Sequence, residues 1–232
     1  MQKYIVGNWK MNGTLAEARD RAAAMVGNVP DRAKVILCVP SLHLPLVANI
    51  VASSSIAVGL QDCHTATSGA YTGSVSAAMG ADAGAKYTLV GHSERRAACG
   101  ETDAEVRLKA EAALVAGLTP IVCVGETLAE RQSGQAEAIV TRQIEGSVPV
   151  GQVILAYEPV WAIGAGQSAN PADIAQMHKL IHALKPDLPL LYGASVKPDN
   201  AAAILALENV DGVLVGGASL KSADFLEICR AA

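Results

Sequence analysis

Eight short apolar runs, separated by segments with helical patterning, constrain the fold of this chain more than any other feature of its sequence. Strict alternation of strand and helix predicts a parallel sheet, and eight units predict a closed (β/α)8 barrel of the α/β class. A doubly wound open sheet is the alternative, but such sheets usually have fewer strands and need a crevice where strand order reverses. The predicted strands are 4–6, 34–39, 56–60, 87–90, 119–124, 153–157, 188–192 and 212–215.

Helical signals fill the intervening segments. Asn170 followed by Pro171 is typical of an N-cap and first turn, and Gly117 is a typical helix stop. No linker or change of composition divides the chain, so we expect residues 1–232 to form a single domain. The clearest predicted helices span 103–116, 136–144, 171–184 and 218–230.

The composition limits the classes of partner. Hydrophobic residues make up 51% of the chain and charged residues 17%, which favours a large core over disorder. The net charge of −4, without a basic cluster, argues against nucleic acid and anionic membranes. No apolar run approaches the ~18 residues of a membrane span, and the opening residues do not resemble a signal peptide. We therefore expect a cytoplasmic protein.

Cysteine and histidine spacings give no sign of a metal site. The five cysteines contain no CxxC pair, and Cys38 and Cys123 fall inside predicted strands, so we expect reduced, buried thiols. His178 and His182 are four residues apart but lack a HExxH pattern or an obvious third ligand. Our expectation is that they occupy a solvated helix face.

Polar residues and glycines cluster directly after the predicted strands. Barrel enzymes place their chemistry at the carboxyl ends of the strands, so we expect these side chains to share one face. They are Asn8, Lys10, His92, Glu126, Glu158, Ser195, Gly216 and Gly217.

Glu158 is the most distinctive of these residues. It follows an apolar strand and precedes Pro159-Val160-Trp161 and a stretch of small residues. A partly desolvated carboxylate with a raised pKa suits a general base, and a stiff hinge followed by small residues suits a lid.

His92 leaves a strand and opens a predicted short helix, whose N-terminus disfavours the imidazolium. A neutral imidazole that donates a hydrogen bond and a purely structural histidine are both compatible with this position. The segment from Gly91 also approaches a nucleophile elbow, but Arg95 replaces the second glycine, which argues against Ser93 as a nucleophile.

Gly216-Gly217 allow backbone N–H groups to approach a phosphate, although such pairs also form ordinary turns. Lys10 near the N-terminus could equally be a solvated lysine.

Together these segments resemble the triosephosphate isomerase family over essentially the whole chain. The matching segments are 7–10, 69–73, 90–96, 118–127, 156–164, 192–197 and 211–217. The resemblance implies a homodimeric TIM barrel that interconverts dihydroxyacetone phosphate and glyceraldehyde 3-phosphate through an enediolate, without metal or cofactor. A non-catalytic phosphate-binding barrel and another phospho-sugar barrel enzyme are the alternatives.

The resemblance also implies a role for each site residue. Glu158 is the base and His92 polarises the carbonyl oxygens, while Lys10 and Asn8 stabilise the oxyanion. The phosphate is held by Gly164, Ser195, Gly216 and Gly217. Glu94 orders Lys10, and Thr72, in the loop 61–79, supports the partner's site.

The chain departs from the family pattern at three places that affect these expectations. Ala194 replaces a usual glycine before Ser195, the lid segment 165–168 is Ala-Gly-Gln-Ser, and Asp62 replaces a usual asparagine. None removes a proposed catalytic group, but each could change lid closure or dimer contacts.

Overall fold

The computed structural model, which describes residues 2–163 and 169–232, contains a closed barrel of eight parallel strands in sequence order. The first strand pairs with both the second and the eighth, which closes the barrel. The predicted barrel is confirmed. The strands are β1 (Lys3–Asn8), β2 (Ala33–Cys38), β3 (Ala57–Leu60), β4 (Tyr87–Val90), β5 (Thr119–Val124), β6 (Ile154–Tyr157), β7 (Leu190–Tyr192) and β8 (Gly212–Val215).

Helices connect successive strands and cover the outside of the barrel. Side-chain caps start several of them, such as the Thr102–Glu105 capping box of the helix Asp103–Val115 and the Asn170 cap of the helix Pro171–Leu184. Within the described residues the α-helices are α1 (Leu15–Met25), α2 (Leu44–Val51), α3 (Ala77–Asp82), α4 (Ser93–Cys99), α5 (Asp103–Val115), α6 (Leu128–Gln132), α7 (Ala136–Ser147), α8 (Pro171–Leu184), α9 (Ala201–Leu205) and α10 (Ser222–Arg230).

The predicted helix 218–230 is wrong in its first turn. Gly217–Leu220 forms a short 3₁₀ helix, and α10 begins only at Ser222. Lys221, which has extended backbone angles, separates the two elements. The dipole of α10 is therefore not continuous with the 3₁₀ helix that begins at Gly217.

Side chains alternate between two apolar layers along the strands. Val6, Leu89, Ile154 and Ala156 belong to a cluster inside the barrel, while Ile5, Val90 and Leu155 belong to the larger core between strands and helices. This alternation determines which residues past each strand end point into the mouth of the barrel.

Burial contradicts two of the sequence expectations. His178 is fully buried and its Nδ1 lies 2.9 Å from the Asn209 carbonyl oxygen, so the solvated face predicted for His178 is wrong. Cys99 is exposed, whereas the other four cysteines are buried free thiols. In the ranges 2–163 and 169–232, no cluster of three or more metal-ligating side chains occurs. None of the helices described there is both long and apolar enough to cross a membrane.

Candidate active site

Glu158 reaches the barrel mouth because of strand periodicity. It follows Ile154 and Ala156 with the same two-residue spacing, and both of those side chains point into the barrel. Its own N–H donates to the Val124 carbonyl at 2.7 Å, which extends the β5–β6 pairing by one bond. The side chain is 2% exposed and lines a cavity of about 640 Å³.

Both carboxylate oxygens of Glu158 have partners. Oε1 lies 3.0 Å from His92 Nε2, and Oε2 accepts the Ser93 backbone N–H at 2.9 Å. Burial raises the pKa of Glu158, but the charge and hydrogen bond of His92, together with Ser93, outweigh burial and lower the pKa below its ordinary value. The pKa raised by desolvation that we expected is therefore wrong for this conformation.

His92 is the N-cap of α4, and its Nδ1 accepts the Glu94 backbone N–H at 3.2 Å. An accepting Nδ1 puts the proton of a neutral imidazole on Nε2, which then faces Glu158. Burial lowers the pKa of His92, but the nearby Glu158 carboxylate raises it, and the net pKa lies above the ordinary value. The carboxylates of Glu158 and, to a smaller extent, Glu94 therefore outweigh burial.

Lys10 and Asn8 line the same cavity. Lys10 has φ of 50°, an uncommon value for a non-glycine residue, and the Asn8 carboxamide oxygen holds its N–H at 3.0 Å. The Lys10 ammonium forms an ion pair with Glu94 at 2.5 Å. This arrangement fixes a positive charge beside the cavity.

Glycines and one hydroxyl form another part of the cavity wall. Ser195, Gly216 and Gly217 line it together with Lys10. A Cβ added at Gly216 would lie 3.3 Å from Lys10 Cε, whereas one at Gly217 would meet nothing within 4 Å. Ser195 Oγ donates to the Ala162 carbonyl at 2.8 Å, which ties this wall to the start of the lid segment.

The structure therefore brings together seven of the expected site residues around one cavity: Asn8, Lys10, His92, Glu158, Ser195, Gly216 and Gly217. Glu94 adjoins them through Lys10. Thr72 is exposed and does not line this cavity in its own chain. Gly164 falls outside the described residues.

Sequence reasoning missed two residues of the site. Ser93 contributes its backbone N–H to Glu158, although only its hydroxyl had been considered. The Gln61 carboxamide donates to the carbonyl oxygens of Lys10 at 2.9 Å and of Cys38 at 3.1 Å, and so supports the strained Lys10 backbone. A polar residue directly after β3 was the available signal for Gln61.

A carboxylate, an imidazole and a lysine at the carboxyl end of a closed barrel define a class of enzyme. The carboxylate and imidazole can exchange protons with neighbouring atoms of one ligand, and the lysine can stabilise the resulting oxyanion. The class is therefore a (β/α)8-barrel enzyme that moves protons on a small anionic substrate.

Comparisons with known proteins identify the family. Residues 3–232 match the sequence profile described as triosephosphate isomerase. The chain is 52% identical to the triosephosphate isomerase of Afipia carboxidovorans, covering 100% of this chain and 98% of that protein. It is 49% identical to that of Xanthobacter flavus, covering 98% and 96%. The crystal structure of triosephosphate isomerase from Bartonella henselae superposes with a TM-score of 0.92 at 43% identity, covering 100% and 99%.

The chain belongs to the triosephosphate isomerase family. It is an intramolecular aldose–ketose isomerase that interconverts dihydroxyacetone phosphate and glyceraldehyde 3-phosphate by proton transfer through an enediolate.

Proposed function

We propose that Glu158 is the base that moves the proton between carbon 1 and carbon 2 of the triose phosphate, and that His92 polarises the carbonyl oxygens. The observation that supports this assignment is the 3.0 Å contact between the two side chains at the cavity mouth. Both oxygens of Glu158 have partners, so the carboxylate must release His92 and the Ser93 N–H to reach a substrate carbon.

Release of Glu158 also prepares His92 for its part of the reaction. The Glu158 carboxylate raises the pKa of His92 while the two side chains are in contact. When the carboxylate turns away, burial and the Glu94 N–H on Nδ1 favour the neutral imidazole, and only the weaker effect of the Glu94 carboxylate opposes them. A neutral imidazole with its proton on Nε2 can donate to a carbonyl oxygen and return the proton to the enediolate.

Lys10 and Asn8 stabilise the developing oxyanion in this proposal. The ammonium is held by Glu94, and Asn8 uses its carboxamide oxygen on the Lys10 N–H, which leaves its NH2 group to donate to the substrate. Fixed donors cost no reorganisation during the reaction, so they stabilise the transition state more than water does.

The phosphate binds between Ser195 and the glycines after β8. Gly216 and Gly217 leave space for the anion, and the Ser195 hydroxyl lies on the same cavity wall. Gly164 completes this set through the family resemblance alone. The reaction uses side chains as acid and base and so needs no metal or cofactor. We also propose a single catalytic domain over 1–232 and a cytoplasmic location.

A second copy of the chain is the proposed partner. Residues 67–74 form an exposed stretch, and Tyr71 in it is 49% exposed. Met11, directly after Lys10, is 96% exposed. An exposed methionine beside Lys10 and an exposed loop that carries Tyr71 support a homodimer in which the loop of each copy covers the cavity wall of the other.

A coupled assay of glyceraldehyde 3-phosphate conversion, with no added metal or nucleotide, tests the proposal. The wild type should turn over, whereas a binding-only barrel would not. Glu158→Gln should reduce kcat by at least about 10²–10⁴-fold while phosphate ligands still bind, because no other base replaces the carboxylate. Glu227→Gln, an exposed change on α10, is the matched control. Activity of Glu158→Gln within tenfold of wild type would contradict the assignment.

A further inference from the structure

Strand alternation does not explain how His92 comes to face the cavity. Leu89 points into the barrel and Val90 points out, so simple continuation would direct His92 to the same side as Val90. The intervening Gly91 has φ of 66°, a left-handed conformation that redirects the chain. The peptide between Gly91 and His92 therefore decides where the imidazole points.

Arg96, one turn into α4, holds this peptide. Its Nε donates to the Gly91 carbonyl at 2.8 Å, and its Nη2 donates to the Cys123 carbonyl on β5 at 3.3 Å. One planar guanidinium thus joins the end of β4, which carries His92, to the neighbouring strand. The Glu158 backbone N–H donates to the carbonyl of Val124, the residue after Cys123. The hydrogen bonds of Arg96 therefore link the backbone segments that carry both His92 and Glu158.

The guanidinium is itself fixed from the outside. Nη1 donates to Asp103 at 2.6 Å and Nη2 donates to the Ser147 hydroxyl at 3.0 Å, and that hydroxyl also contacts Asp103 at 3.3 Å. The Arg96 side chain is 15% exposed and Ser147 is fully buried. Four hydrogen bonds, from Nε, Nη1 and both N–H groups of Nη2, hold this planar group in one orientation.

We propose that Arg96 is a positioning residue for the isomerase reaction. It fixes the Gly91–His92 peptide and thereby sets the distance and angle between the His92 imidazole and the Glu158 carboxylate. It acts through hydrogen-bond geometry, because Asp103 neutralises its charge and the causes of the raised His92 pKa do not include Arg96. The inference rests on the role proposed above for His92.

Kinetics and NMR of Arg96→Met test the proposal. The substitution removes every donor, so we expect kcat to fall about 10²-fold with KM changed less than threefold, because a misplaced imidazole fails mainly in the transition state. The ¹⁵N and Nε2–H resonances of His92 should shift, reporting a changed contact with Glu158. Arg96→Lys keeps the charge but not the fork and should behave like Arg96→Met.

Two further variants separate positioning from general stability. Ser147→Ala removes one acceptor of the fork, and we expect a several-fold loss of kcat with a smaller His92 shift in the same direction. Arg142→Met removes an exposed arginine that contacts the same Asp103 at 3.6 Å but not Gly91, and kcat and the His92 resonances should stay unchanged. If Arg96→Met does not fold, the Ser147→Ala and Arg142→Met pair decides the question.

Unchanged His92 resonances in folded Arg96→Met or in Ser147→Ala would overturn the proposal. A kcat of folded Arg96→Met within twofold of the wild-type value would also overturn it. His92→Gln tests the underlying assignment separately. If His92→Gln keeps full activity, the role proposed for His92 is wrong. The NMR measurement on Arg96→Met, which retains the imidazole, still reports whether Arg96 positions the ring.

Discussion

The Nε2 atom of His92 and the Oε1 atom of Glu158 lie 3.0 Å apart, and each residue shifts the pKa of the other. Glu158 raises the pKa of the buried imidazole, and His92 helps to lower the pKa of the buried carboxyl. The proton between these two side chains is therefore expected to depend on both groups.

Glu158→Gln should lower the pKa of His92, in addition to its effect on turnover. The substitution removes the charge that contributes most to raising this pKa, while burial still lowers it and only the Glu94 carboxylate, 3.8 Å from Nδ1, still raises it. An NMR titration of the His92 ring resonances measures the shift. An unchanged or higher pKa of His92 in Glu158→Gln would contradict the coupling.

Ala194→Gly should bind a phosphorylated transition-state mimic at least as tightly as the parent. Ala194 has no positive φ in this structure, and its carbonyl accepts the Val196 N–H at 2.9 Å. If lid closure turns this peptide toward positive φ, alanine costs about 1–2 kcal/mol more than glycine, which corresponds to about fivefold to thirtyfold in affinity. Calorimetry with 2-phosphoglycolate gives the two dissociation constants.

Ala194→Val is the matched control, since a β-branched residue adopts positive φ even less readily than alanine. It should bind the same ligand more weakly than the parent. Clearly weaker binding by Ala194→Gly would instead mean that alanine preorganises the closed form.

Thr72→Arg should weaken self-association and make activity depend on protein concentration. Thr72 is exposed in its own chain, so the larger charged side chain meets an obstacle only in a proposed partner. Sedimentation velocity and activity measured over the same concentration range test this. Val150→Arg changes a residue that is 100% exposed in the segment before β6 and should affect neither measurement. A wild type that is monomeric at micromolar concentration with full activity would refute the proposed dimer.

His178 should make the protein lose stability in acid. Burial lowers the pKa of His178 to about 4, although the Asn209 carbonyl opposes this shift. Because the unfolded chain takes up this proton near pH 6.5 and the folded protein only near pH 4, the unfolded state binds more protons in that window. The free energy of unfolding therefore falls as the pH is lowered from about 6.5 to about 4, by about 3 kcal/mol.

Urea denaturation of His178→Gln across this pH range checks the prediction. The variant should be less stable at neutral pH but should lack this part of the acid dependence. His182→Gln, four residues on in the same helix and partly exposed, should keep the acid dependence of the wild type. An unchanged pH dependence in His178→Gln would contradict the assignment.

The sequence by itself determined the barrel and much of its catalytic edge. Apolar runs and helix caps are patterns of residues close together in sequence. The sequence alone therefore located the eight strands to within a few residues. The position of Glu158 also followed from local periodicity, because it is two residues beyond Ala156 on an inward-facing strand. Side-chain direction within a strand is a property of the backbone alone.

Only the tertiary structure decided the contacts made across the barrel. His92 is directed inward by left-handed Gly91 and by Arg96 from the next helix, so its direction departs from strand alternation. The sign of the Glu158 pKa shift required His92 and Ser93 to lie against a buried carboxylate. Burial of His178 likewise required packing between α8 and the strands. Each of these properties depends on groups that are distant in sequence, and a local pattern does not encode the distance between such groups.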